Sequence, residues 1–210
     1  MIQLIVGLGN VGPEYERTRH NAGFWFVDRL AAQAGASWRS ERGFHGEIAR
    51  MQLGGRSCWL LKPDTYMNRS GLAVSALARF YKIAPESILI AHDELDLQPG
   101  EAKIKQAGGH AGHNGIKSVQ AELASPQFWR LRIGIGHPGA KPLVVDYVLR
   151  KAAPEQQQAI EAAIDRALPL VPLLLQGEFE RAIMLLHRKP KPVPPPAADS
   201  ADHSAGPAPA

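Results

Sequence analysis

The residues with chemistry to offer are gathered in four polar loops. The first holds His20, inside TRHNAGFWFVD at positions 18 to 28. A histidine titrates near neutral pH and acts as a general base when held beside a water molecule. The third holds Asp93, in SILIAHDELDLQPG, at the carboxyl end of a strand-like run where α/β proteins keep their ligand clefts. A carboxylate there can bond one ring nitrogen of a histidine from another loop, which fixes the tautomer and strengthens the other nitrogen as a base. Three amides complete the set: Asn10 in GLGNVGPEYERTRHN, Asn68 in KPDTYMNRSG and Asn114 in KIKQAGGHAGHNGIKSV. No nucleophile stands out. Ser70 falls just inside a helical pattern with no adjacent base, and Cys58 in SCWLL reads as a small core hydrophobe. The economical chemistry is water activated by His20, with asparagine amides holding a substrate and stabilising an oxyanion.

Competing chemistries are weaker. Gly7, Gly9 and Gly12 match G-x-G-x-x-G, but Pro13, Glu14 and Tyr15 begin an extended connection where a dinucleotide fold needs a helix to open. Those glycines instead let the backbone turn tightly and leave Asn10 facing a cavity. His92, Asp93 and Asp96 offer metal donors, yet residues 92 and 93 of a strand point to opposite faces and no established ligand spacing supports them. His110 and His113 sit three apart in a glycine loop with no further ligand in sequence, so no metal and no cofactor is expected. Lys103 and Lys105 alternate with Ile104 and share one strand face; leading into the glycine loop, they suit an anion.

Elements must hold these loops in place. Strand-like runs cover 2–8, 46–53, 57–61, 87–93, 101–106 and 130–136, and helical patterns cover 22–34, 69–82, 114–124, 155–176 and 178–187. In the first helix Phe24, Val27, Leu30 and Ala31 recur at three- and four-residue intervals, which makes Asn21 its N-cap and leaves His20 at its mouth. Asn68 likewise stands where a cap belongs, so capping and substrate contact both account for it. Met67 serves equally as core filler or cleft wall. The intermixed strands and helices predict an α/β fold: a single domain with a mixed, twisted sheet and helices on both faces. The short turn between 87–93 and 101–106 predicts that part of the sheet is antiparallel.

The chain has 210 residues, 45% of them hydrophobic, enough for one domain over 1–187. Residues 188–210, RKPKPVPPPAADSADHSAGPAPA, hold little apolar bulk and read as a Pro/Ala-rich disordered tail. A single cysteine excludes an internal disulfide and suits a reducing compartment. MIQLIVGLG lacks the charged start of a signal peptide and no run is long enough to span a bilayer, so a cytoplasmic protein with no membrane partner is expected. The net charge of +4, with a pI near 9.3, permits a nucleic-acid partner without demanding one.

Five motifs in order, GLGNVGPEYERTRHNAG, KPDTYMNRSG, HDELDL, GGHAGHNGIKS and RLRIGIG, resemble the bacterial peptidyl-tRNA hydrolases over about residues 2 to 187. The resemblance implies a monomeric, metal-free esterase that cleaves the ester between a peptide and the terminal ribose of tRNA. It implies His20 as the catalytic base, Asp93 as its partner and Asn10, Asn68 and Asn114 as positioning residues, with Met67 and Tyr15 lining the same crevice. Lys105 and Arg132, with Lys103 beside them, match the family's basic residues for the tRNA 5′-phosphate region. One departure is visible: Val11 stands where the family usually has proline, which bears on the rigidity of the first loop while Asn10 is retained. Two rival classes are a non-catalytic RNA-binding relative, disfavoured by His20 and Asp93, and a serine esterase of small esters.

Overall fold

The computed structural model of the chain describes residues 1–188; most of the expected tail, 189–210, lies outside them. Seven strands, β1 (Leu4–Gly7), β2 (Arg39–Glu41), β3 (Gly46–Leu53), β4 (Arg56–Pro63), β5 (Ile88–Glu94), β6 (Ala102–Gln106) and β7 (Trp129–Gly134), form one sheet in the order β2-β3-β4-β1-β5-β7-β6. The four central strands are parallel, while β2, β3 and β6 run antiparallel to their neighbours. The sheet is therefore mixed. β1 and β5 are buried along their whole length, as continuous apolar runs in a doubly covered parallel sheet require.

The helices are α1 (Ala22–Gln33), α2 (Ser70–Phe80), α3 (Asn114–Leu123), α4 (Val144–Val148), α5 (Pro154–Ala167), α6 (Val171–Gln176) and α7 (Phe179–His187). One core, with Phe26, Leu30, Ile160 and Ile164, joins α1 and the helices α5 to α7 with one face of the sheet. The other, with Leu77, Ile116, Val119 and Phe128, seals α2 and α3 on the opposite face. No helix among the described residues is long and apolar enough to cross a membrane.

Close backbone packing brings the start of α1 onto the central strands of the sheet. A Cβ on Gly23 would collide with the carbonyl of Ala91 and the backbone of Leu8, and one on Gly7 would collide with Gly23 in turn. Two missing side chains thus let the first turn of α1 lie against the ends of β1 and β5. Gly7 and Gly9 have no unusual φ; of the three glycines in the motif only Gly12, at φ 116°, uses the left-handed side of the map. The tight turning expected of all three is confined to Gly12, and residues 12–18 form successive turns in place of the expected extended connection.

Other differences have local causes. The expected helix over 155–176 is divided, because Pro169 and Pro172 lack the amide hydrogens of its hydrogen-bond ladder and Leu168–Leu170 tighten into a 3-10 turn. β2 is unforeseen because Arg-Ser-Glu carries no apolar pattern, and α4 because Val-Val-Asp-Tyr-Val is five residues of largely strand-like composition. β6 is antiparallel in direction to β5 but is not its neighbour: the connection passes over the end of β7, where Gly134 leaves room for Gln98 and Leu97.

Candidate active site

The four consecutive residues Thr18 to Asn21 each anchor to something different. Thr18 bridges to Lys151. Arg19, 7% exposed, donates from Nη1 to the carbonyls of Tyr147 and Arg150 at 3.1 and 3.2 Å and from Nη2 to Gln156 at 2.9 Å. Its guanidinium also lies 4.0 Å from the centre of the Tyr147 ring. Asn21 does not cap α1 with its side chain; Oδ1 accepts from the backbone N–H of Asn10 and Nδ2 donates to the carbonyl of Asn10, both at 2.9 Å. The expected N-cap is a latch on the first loop, and it holds that loop although Val11 is 39% exposed and not proline. His20 is fixed on both sides.

Asn10 is locked in turn. Its Oδ1 accepts from the backbone N–H of Met67 at 2.7 Å, so Nδ2, with no protein partner among the described residues, is left for the cavity that Asn10 lines. His20 Nδ1 lies 2.9 Å from both oxygens of Asp93, which is 2% exposed. The carboxylate accepts, so Nδ1 carries the hydrogen and Nε2 is bare. Burial favours the neutral imidazole, but the charge of Asp93 and its hydrogen bond outweigh that and raise His20 above its ordinary 6.5. Burial also works against the Asp93 carboxylate; His20 and His113 override it and hold that acid far below the usual range.

The cavity in front of these groups measures about 640 Å³. His20, Asp93, Asn10, Met67, Asn68 and Asn114 all line it, so six of the sequence-predicted residues converge. Neither Asn68 nor Asn114 caps a helix with its side chain: α2 begins at Ser70 with no side-chain cap, and α3 is capped by His113. Both asparagines are exposed at the wall and make no side-chain hydrogen bond among the described residues. Tyr15 is not part of this lining. Lys103 and Lys105 are exposed on β6, outside the cavity, and pair in register with Arg132 and Arg130 of β7. Arg132 is not free of the site, because its Nε donates to Glu94 at 2.8 Å and Glu94 lines the cavity. Cys58 is buried, which pushes its thiol well up, and Ser70 donates to the carbonyl of Met67, so neither supplies a nucleophile.

Sequence reasoning missed the apolar wall formed by Tyr66, Val144, Val145, Val148 and Leu149, and it missed His113. His113 Nε2 lies 2.9 Å from Asp93 Oδ1. The isolation assigned to the His110/His113 pair is therefore corrected: the ligand atoms of His20, Asp93 and His113 lie within 4.8 Å of one another, as a metal would need. The donor set nonetheless fits a metal poorly. His113 Nδ1 accepts from the N–H groups of Gly115 and Ile116 at 3.1 and 3.3 Å, so its bare nitrogen faces α3 and its N–H faces Asp93. The GHNG signal for a helix start was legible, but its reach to Asp93 was not.

A histidine–aspartate pair at the carboxyl edge of a doubly covered α/β sheet, with an amide donor aimed into the same cavity, is the equipment of a hydrolytic enzyme. The family is set by comparison with known proteins. The model of the family described as peptidyl-tRNA hydrolase matches residues 4–193. A peptidyl-tRNA hydrolase of Variovorax paradoxus (strain S110) is 55% identical over 197 residues, 93% of this chain and 94% of that one. The crystal structure of peptidyl-tRNA hydrolase from Acinetobacter baumannii is 51% identical with a TM-score of 0.88, covering 90% of this chain and 97% of that one. A peptidyl-tRNA hydrolase in complex with N-propanol is 50% identical at the same TM-score and coverage. The chain belongs to the peptidyl-tRNA hydrolase family.

Proposed function

We propose that this chain hydrolyses the ester between peptide and tRNA in peptidyl-tRNA through a water molecule activated by His20, with no covalent intermediate, and so returns tRNA that has left the ribosome prematurely. Family membership carries the substrate class and the reaction. The observation that carries the mechanism is the joint placement of a bare His20 Nε2 and a free Asn10 Nδ2 at one cavity.

In this reading Asp93 holds His20 in the Nδ1–H tautomer, and Nε2 takes a proton from water as that water attacks the ester carbon. The carbonyl oxygen of the ester, as it becomes an oxyanion, accepts from Asn10 Nδ2, whose orientation is set before the substrate arrives. The tetrahedral intermediate then expels the ribose oxygen, and the imidazolium returns its proton to it. Asn68 and Asn114 bind and orient the peptide and ribose from the cavity wall, and Met67 supplies apolar contact. The wall of Val144, Val145 and Leu149 suits the side chains of a peptide. Lys103, Lys105 and Arg132 hold RNA phosphate, and Tyr15 contacts substrate beyond the cavity. The site is complete within one chain, which supports a monomer, and the single buried cysteine supports a reducing cytoplasm.

The test is release of labelled peptide from peptidyl-tRNA by His20→Ala. The expected loss in turnover is on the order of 10² to 10⁴ with binding retained. Near-normal turnover by a folded variant would overturn the assignment of the base.

A further inference from the structure

His113 connects the first turn of α3 to the carboxylate that serves His20. Its backbone, at φ −72° and ψ 111°, is that of an N-cap, and its Nδ1 takes the place of the usual capping oxygen. A hydrogen on Nδ1 would point at the amide hydrogens of Gly115 and Ile116, so the ring hydrogen belongs on Nε2. Among the described residues that N–H has one acceptor, Asp93 Oδ1, at 2.9 Å. The same oxygen accepts from His20 Nδ1, also at 2.9 Å. The His20 and His113 rings lie 5.0 Å apart between centres, tilted by 44°. One buried carboxylate therefore serves two histidines, only one of which the mechanism above uses.

We propose that His113 is a positioning residue for the hydrolysis, held by α3 as a permanent donor to Asp93, and that by sharing the carboxylate it moderates the basicity of His20. The inference rests on the reading of His20 as the base. A carboxylate that already accepts a hydrogen bond from His113 has less charge to offer the His20 imidazolium, so His20 stays neutral to lower pH than it would beside an unshared aspartate. Preorganisation follows from the same bond, because Asp93 anchored by α3 cannot swing with His20 when the ring takes a proton.

The other charged and titratable groups around the trio are otherwise engaged. On β5, His92 donates from Nδ1 to the carbonyl of Asp93 at 2.7 Å and packs edge-on to His113; burial first, then His113, lower it to about 3, so it stays neutral. Glu94 of β5 is paired with Arg132 of β7. Arg130 of β7 donates to the carbonyls of Gly108 and Gly109. His110, His137 and Lys141 stand on other parts of the cavity wall.

Two substitutions separate the two ends of the ring. His113→Asn places an amide oxygen near the position of Nδ1 and so keeps the cap, but has nothing at the position of Nε2. His113→Gln can present a donor where Nε2 was. The expected result for His113→Asn is an acid limb of kcat/KM moved to higher pH by about 0.5 to 1 unit, hence an activity loss of about three- to tenfold at pH 6 that nearly vanishes at pH 9. His113→Gln should bring the limb back toward wild type. A uniform loss at every pH, with neither the limb nor the His20 titration moved, would overturn the proposal, as would failure of His113→Gln to move a shifted limb back.

NMR titration of the His20 ring in wild type and His113→Asn tests the same point without reference to turnover. A shifted His20 titration with an unshifted pH–rate profile would leave His113 in its role and remove His20 as the base. An unshifted titration overturns the inference about His113 itself. Should His113→Asn not fold, the ring nitrogen shifts of the wild-type chain decide: an Nε2–H tautomer of His113 throughout the neutral range supports the proposal, and an Nδ1–H tautomer overturns it.

Discussion

Asn21→Asp distinguishes two physical roles that the same residue could hold. As an N-cap, aspartate serves as well as asparagine, and a negative charge at the start of α1 would be favourable by about 0.3 to 1 kcal/mol. As the latch observed here, Asn21 both accepts from the N–H of Asn10 and donates to its carbonyl at 2.9 Å, and it is only 2% exposed. Aspartate keeps the acceptor, loses the donor and sets a buried carboxylate oxygen against a carbonyl. Leaving one buried carbonyl unpaired costs about 1 to 3 kcal/mol, and the added repulsion brings the expected loss to about 2 to 4 kcal/mol at pH 8. Protonation of the introduced carboxyl would restore the donor. That carboxyl would therefore be raised in the folded state, with its stabilising form present at low pH and lost as pH rises through the folded value. Urea unfolding of both proteins at pH 8 and pH 5 should show a deficit that narrows at pH 5. Turnover should fall as well, since Asn10 loses its fixed orientation. Stability equal to wild type at both values would refute the latch and restore the cap.

Four further outcomes are expected. Neutralising Lys105 to Gln should weaken tRNA binding and flatten its salt dependence by about 0.7 to 0.9 in log–log slope for one phosphate contact, measured by titration at several salt concentrations; an unchanged slope would remove it from the RNA interface. Adding Arg132→Gln should also lower turnover on a minimal peptidyl-nucleoside ester, because Arg132 is bonded to Glu94 at the cavity, and equal minimal-ester rates would show the two regions to be independent. Exhaustive chelation should leave peptide release unchanged, since the bare nitrogen of His113 faces α3; loss restored by a divalent ion would make the His20, Asp93 and His113 group a metal centre. His92 is neutral when folded down to about pH 3, whereas an unfolded histidine gains its proton below about 6.5. Stability should therefore fall as pH drops through that window, by at most about 1.4 kcal/mol per unit, and His92→Asn should show a shallower fall in denaturant titrations at pH 6 and pH 4.

Periodicity made most of the framework legible. The apolar spacing of Phe24, Val27, Leu30 and Ala31 predicts α1, and the continuous run from Ile88 to Ala91 predicts a strand covered on both faces. Elements without such a pattern stayed hidden: β2 is held by its pairing with β3 and not by burial, and the order of β5, β7 and β6 depends on a loop passing over Gly134. Strand direction is a local property that a short turn constrains. Adjacency is a property of the whole sheet, and no window of sequence carries it.

The polar residues of the site were legible as types and only partly as partners. An asparagine before an apolar helix has the same local signature whether its amide bonds the helix or a loop eleven residues away, and Asn21 does the latter. The distinction matters for how the amides work. Asn10 is fixed through its backbone by Asn21 and through Oδ1 by Met67, so its Nδ2 can meet a developing charge without first losing rotamer freedom. Among the described residues Asn68 and Asn114 have no such ties, so any ligand that they bound would have to order them, which spends binding energy on orientation. In the proposed mechanism, three asparagines that look equivalent in sequence thus divide between one suited to the transition state and two suited to holding the ground state. What separates them is the bonding that pins the Asn10 backbone, commits its side-chain oxygen and leaves its side-chain N–H group to the cavity.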